Sequence, residues 1–175
     1  IAYLKLIYQP NDRMSFSRIV NVPTRGVGDT SLEKFLIWQA GSGFDIIAAL
    51  TNADQTSTLT GRAKQSLVSL GEKLRVVQAM LETAHPVDVI EKVLAVTGYR
   101  DYIQDGTPQA EEREANIGAL LSDAQSFVSL PDFLEEVALM SSADTDSHDQ
   151  KVTLMTLHAA KGLEFPRVFI IGLDE

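Results

Sequence analysis

Thr156, His158, Lys161, Gly162 and Glu164 fall within nine positions of one another. They sit between two short apolar segments, Val152 to Leu157 and Val168 to Ile171. Four to six apolar or β-branched residues between turn signals suit strands covered on both faces, as in a parallel sheet. A polar cluster at the carboxyl end of such a strand, followed by a helix start, is where α/β sheets place their ligands. Gly162 lets the backbone come close to a ligand, and the exposed amides of a new helix favour anions. The same residues also fit a plain strand–helix crossover with solvated polar side chains.

A second group lies near the other end, in Ile19-Val-Asn-Val-Pro-Thr-Arg-Gly-Val-Gly-Asp-Thr-Ser-Leu32. A helix is expected to stop at Pro23, and Gly26-Val27-Gly28 then precedes Asp29 or Thr30 as the N-cap of the next one. Glycines on either side of one apolar residue permit a tight turn with its amides outward. A phosphate oxygen can dock against such amides and the helix dipole behind them. Arg25 stands beside the turn, with Arg18 and Lys34 near in sequence. This is the recipe of a helix-hairpin-helix element that grips a duplex backbone without reading bases. An ordinary helix–turn–helix corner fits the residues equally well.

The elements that must hold these groups are mostly helical up to about Met140. Ile1 to Tyr8 and Met14 to Val20 are short apolar-rich segments around the turn Pro10-Asn11-Asp12, and Ser31 to Ala40 follows. The longest expected helix spans about 60–83, with Leu67, Leu70, Leu74, Val77 and Leu81 on one face. Gly71 within it lowers intrinsic helix stability by about 1 kcal/mol relative to Ala and marks a bend or a close helix contact. Pro86 suits the first turn of the next helix and Gly98 its stop. Glu111 to Val128 and Asp132 to Met140 give the last two helices. Ser141 to Gln150 has no apolar period and many turn formers, so it reads as a linker, with a domain boundary near 149.

The 175 residues are enough for one good core, and 45% hydrophobic with 22% charged content is ordinary for a soluble domain. No apolar run approaches the roughly 18 residues of a membrane span. The absence of cysteine excludes disulfides and cysteine metal sites and is compatible with the cytoplasm. The net charge of −9 is divided unevenly. Residues 1–75 carry nine Lys/Arg against six Asp/Glu, whereas residues 76–175 carry six against eighteen. DNA, if bound, is therefore expected at the basic first half. The first residue is Ile1, and a buried-type strand ends just before Glu175, so the chain reads as a piece of a longer protein.

Thr156-Leu-His-Ala-Ala-Lys-Gly-Leu-Glu-Phe-Pro166 resembles motif V of the UvrD/PcrA/Rep family of superfamily 1 DNA helicases. Asn21-Val-Pro-Thr-Arg-Gly-Val-Gly28 resembles the "PxRGIG" segment of domain 2B in the same helicases, with Val27 for the usual Ile. Gly98-Tyr99-Arg100 is similar to their "SGYR" corner, and Arg113 with Asn116 to their "RxxN" helix. The resemblance implies a mainly α, bundle-like domain 2B over residues 1–149, containing the helix-hairpin-helix element. Residues 150–175 would be a short β-α-β piece of the resumed RecA-like domain 2A. It implies duplex contacts at Arg25, Gly26, Val27, Gly28 and Thr30, and single-strand contacts at Thr156 and His158. Lys161, Gly162 and Glu164 would lie near ATP, with Glu164 reaching the ribose. A parent of this kind uses ATP and Mg and moves 3′-to-5′ along one strand.

Other chemistry finds little support. No Gly-x-x-x-x-Gly-Lys-Ser/Thr loop occurs, and no Asp-Glu pair follows a strand as a magnesium-binding motif II requires. The chain alone is thus expected neither to hydrolyse ATP nor to unwind DNA. His148 among Asp144, Asp146 and Asp149 lacks the glycine and terminal glutamate of an EF-hand, and no metal site is expected. A different class of function remains open: a protein-docking or autoinhibitory module, for which the acidic second half suits a basic partner. The equivalent region of a RecB-like helicase–nuclease fits the compact hairpin less well.

Overall fold

The computed structural model describes residues 1–146, 154–157 and 160–171, with 141–146 described by their backbone. The chain divides into two compact units, Ile1–Met140 and Ser141–Glu175.

The first unit is helical. In chain order it contains α1 (Ala2–Tyr8), α2 (Arg13–Ile19), α3 (Asp29–Ser42), α4 (Ile46–Thr51), a 3-10 turn (Ala53–Gln55) and α5 (Gly61–Gln78). After these come α6 (Pro86–Thr97), α7 (Tyr99–Ile103), α8 (Gln109–Ala124) and α9 (Leu130–Asp146), the last running on into the second unit. Local chemistry sets most of these boundaries. Asp12, Asp45 and Thr60 cap α2, α4 and α5, each accepting a hydrogen bond from the third amide beyond it. Pro86 opens α6 behind His85, whose Nδ1 accepts from the Val87 amide, and Gly98 closes it in the left-handed conformation.

Helix α5 is the spine. It buries Leu67, Leu70, Gly71, Leu74 and Val77 against α4, with α1, α6 and the 3-10 turn also packed on it. The stripe ends earlier than expected: α5 stops at Gln78, leaving Leu81 half-buried in the turns that lead to Pro86. Fully buried Phe16, Phe35 and Phe133 add aromatic bulk to the core.

Two expectations change. Residues 141–146 continue α9 as helix where a linker was expected, and 147–150 lie outside the described residues. Residues 154–157 and 168–171 form no strand. A strand needs a neighbour for its backbone hydrogen bonds, and no extended segment among the described residues supplies one. No described helix is long and apolar enough to cross a membrane.

Candidate functional site

The turn between α2 and α3 is built by what surrounds it. Helix α2 ends at Ile19, and the chain then runs through a cis Val22–Pro23 peptide to Gly26 at φ +71°, a left-handed conformation that side chains disfavour. Val27 points the other way and is buried in the core. Helix α3 starts at Asp29 with Gly28 as its N-cap, one position ahead of the expected Asp29 or Thr30. The Gly28 carbonyl accepts from the amides of Ser31 and Leu32. An apolar anchor thus sits between two exposed glycines at the tip.

Five successive amides, from Gly26 to Thr30, find no protein acceptor among the described residues. The α3 dipole adds partial positive charge behind them. Buried donors are nearly always paired, and exposed unpaired ones at a helix start are met by water or can seat an anion.

Arg25 behaves differently from the expectation that it faces a ligand phosphate. Its Nη1 donates to the carbonyls of Ile19 (2.9 Å) and Pro23 (3.1 Å) and lies 3.4 Å from that of Val20. Its Nη2 donates to the Tyr3 hydroxyl at 2.7 Å, and that hydroxyl donates to the Val22 carbonyl. The Arg25 amide donates to Asn21 Oδ1, and its carbonyl accepts from Ser66 Oγ at 2.9 Å. The residue is thus tied into the turn at both its backbone and its side chain. Burial raises the Tyr3 phenol above its ordinary pKa, and Arg25 opposes that rise. The Tyr3 ring also meets Tyr99 edge-on at 6.3 Å, which links the hairpin to the Gly98-Tyr99-Arg100 corner.

Reading the sequence from Ile19 to Leu32 missed Arg62. Its Nε lies 3.6 Å from where a Cβ on Gly26 would sit, and its side chain is exposed. The signal was present as Leu59-Thr-Gly-Arg-Ala-Lys64, whose Thr60 caps α5 as a simple helix start. Lys64 is turned aside, donating to the Asp54 carbonyl at 3.1 Å. Arg18 and Lys34 are exposed.

In the second unit Thr156, Lys161, Gly162 and Glu164 are exposed, and His158 lies outside the described residues. The Ala160 amide donates to the Thr156 carbonyl and the Leu163 amide to that of Ala160. The second bond closes a turn whose third residue, Gly162, has φ +87°, the position where a type II turn calls for glycine. Among the described residues no cluster of three His, Cys, Asp or Glu is placed to hold a metal ion. Asp144 and Asp146 fall in the last turn of α9, and His148 and Asp149 lie outside the described residues.

Arg113 serves the fold. It pairs with Asp105 at 2.8 Å and ties the loop before α8 to that helix. Hydrogen bonds from Thr107 first, and then from Arg113, hold the Asp105 carboxyl down to about 2. Its stabilising contribution is therefore present above the ordinary carboxylate range and is lost as pH falls through about 2. A side-chain NMR titration should find Asp105 at that low value, and Thr107→Val should move it back upward. A midpoint near the ordinary 3.9 or so in the unaltered chain would refute the pairing.

The profile of the family described as UvrD-like helicase C-terminal domain matches residues 1–175. The chain is similar to the ATP-dependent DNA helicase PcrA of Bacillus subtilis (strain 168), 38% identical over 191 aligned residues. The helicases of the same name from Leuconostoc citreum and from Staphylococcus aureus (strain Mu50 / ATCC 700699) are 34% and 33% identical. Each alignment takes in 100% of this chain and 25% of the relative. The chain therefore spans about a quarter of the length of the curated relatives it matches.

Proposed function

The chain belongs to the UvrD-like helicase C-terminal domain family, and from that premise we propose that it is the duplex-gripping part of an ATP-dependent 3′-to-5′ DNA helicase. Residues 1–149 act as domain 2B, and the Gly26–Thr30 backbone receives a phosphate of the duplex. Residues 150–175 begin domain 2A, bringing Thr156 and His158 to single-stranded DNA and Lys161, Gly162 and Glu164 to ATP. The observation that carries the duplex reading is the run of five amides without a protein acceptor, with Arg62 alongside.

ATP and Mg belong to the whole helicase. Among these 175 residues, Lys161, Glu164 and the turn at Gly162 fit the edge of a nucleotide, one cation and one carboxylate beside an open backbone. No phosphate loop accompanies them, so ATP hydrolysis is not assigned to the chain alone.

Binding to a labelled duplex and a matched single strand, followed across salt, tests the grip. Gly28 has an ordinary φ of −77° and nothing within 4 Å of an added Cβ. Gly28→Ala should therefore fold almost normally, with about 1 kcal/mol or less lost at the cap. A methyl group at the mouth of the amides should still weaken duplex binding roughly ten- to a hundredfold, the loss of one or two charge-assisted hydrogen bonds. Unchanged duplex affinity in this variant, or equal weak binding of both DNAs, sinks the proposal. The acidic balance of residues 76–175, six Lys/Arg against eighteen Asp/Glu, favours docking or autoinhibition as the second reading.

A further inference from the structure

We infer that the two arginines at the hairpin divide the work: Arg25 is a positioning residue that clamps the turn from inside, and Arg62 is the cation that meets the duplex phosphate. The inference rests on the duplex reading above and refines which residues carry it.

Arg25 turns both terminal nitrogens of its guanidinium to the protein. A planar guanidinium can bridge several carbonyls in one fixed arrangement, and here it gathers those of Ile19, Val20 and Pro23. The first two belong to the C-terminal end of α2, where partial negative charge favours a cation. Tyr3 completes the clamp from α1, taking a hydrogen bond from Arg25 and giving one to Val22. Turning Arg25 out to a phosphate would strip the buried Tyr3 phenol and three carbonyls of this partner. The clamp also sets Arg62, because Ser66 Oγ joins α5 to the Arg25 carbonyl one turn beyond it. The Arg62 side chain is exposed, lies against Gly26, and shows no ion pair or hydrogen bond among the described residues.

Salt dependence separates the two roles. Each phosphate neutralised by a cation contributes about 0.9 to the slope of log affinity against log salt. Arg62→Gln should lower that slope by about 0.9 and weaken duplex binding most at low salt. Tyr3→Phe removes no charge. It should lower duplex affinity by about three- to tenfold at every salt concentration, with the slope unchanged. Arg25→Lys keeps the charge and loses the fork, so it should match Tyr3→Phe in direction and leave the slope alone. Amide hydrogen exchange is the independent readout: both clamp variants should speed exchange at Arg25, and Arg62→Gln should not.

If Arg25→Lys binds like the unaltered chain while Arg25→Gln loses about 0.9 of slope, Arg25 is a phosphate ligand and the inference is overturned. An unchanged slope in Arg62→Gln overturns the other half. Should the unaltered chain show no duplex binding, the duplex reading falls and takes the roles in DNA binding with it. Hydrogen exchange would then still decide whether the clamp exists.

Discussion

Gly71→Val should destabilise the helical unit by about 3 kcal/mol or more, and Gly71→Ala by about 1–3 kcal/mol. In an open helix the second change would do the reverse, since Ala outranks Gly by about 1 kcal/mol. Position 71 is not open. A Cβ there would lie 2.6 Å from the Thr51 nitrogen, 2.7 Å from Leu50 Cβ and 2.8 Å from the Leu50 carbonyl carbon. Two of those atoms are backbone and cannot swing away, so α4 would have to retreat from α5. That retreat loosens fully buried Leu50, Leu67, Leu70 and Leu74. Gly118, on exposed α8 with nothing within 4 Å of an added Cβ, is the control, and Gly118→Ala should stabilise by up to about 1 kcal/mol. Urea unfolding of both variants checks the pair. A stabilising Gly71→Ala would mean that α4 and α5 do not approach this closely.

Gly71 also illustrates what was legible in the sequence. The leucine spacing around it gives the buried face of α5, and a glycine in such a face implies a close neighbour. Which neighbour was hidden. Helix α4, Ile46-Ile-Ala-Ala-Leu-Thr51, buries four of its six residues and has no polar face, so its sequence carries no helical period. Asp45, which accepts from the Ala48 amide at 2.8 Å, was the available clue. Pro86 and Gly98 were readable because each works locally, within one turn. Gln39 was not: its amide bridges Phe44 and Arg13, and only the tertiary fold brings those together.

The candidate site divides along the same line. The tight turn at Gly26 to Gly28 could be read because glycine spacing is a local property, whereas Val27, expected at the duplex, lies buried in the core. The inward course of Arg25 depends on Tyr3, twenty-two residues away, and the position of Arg62 depends on how α5 lies beside the hairpin. Arginine's chemistry is the same whether it faces a phosphate or a set of carbonyls, so residue type alone left its direction open. The strands expected around Thr156–Glu164 were inferred from apolar runs, yet a strand exists only with a partner to share its hydrogen bonds.

Phe16→Ala should cost about 3–5 kcal/mol, a large share of the roughly 5–15 kcal/mol that holds a domain together. Phe16 is fully buried, and its ring packs on Phe35 at 5.3 Å with the planes at 50°. Phe35 in turn meets Trp38 at 6.1 Å. The cavity would thus open between α2 and α3, whose connection adds only Val20 and Val27 to the buried core. Phe16→Leu keeps much of the volume and should cost far less. Met14, two residues earlier and 69% exposed, should tolerate Ala within about 0.5 kcal/mol. Calorimetric unfolding of the three variants orders them, and a loss under about 1 kcal/mol for Phe16→Ala would contradict the packing described. The proposed duplex grip requires the amides of Gly26 to Thr30 to keep one arrangement, which depends on the spacing of α2 and α3. Phe16→Ala should therefore weaken duplex binding even at temperatures where the chain remains folded, whereas Met14→Ala should leave it unchanged.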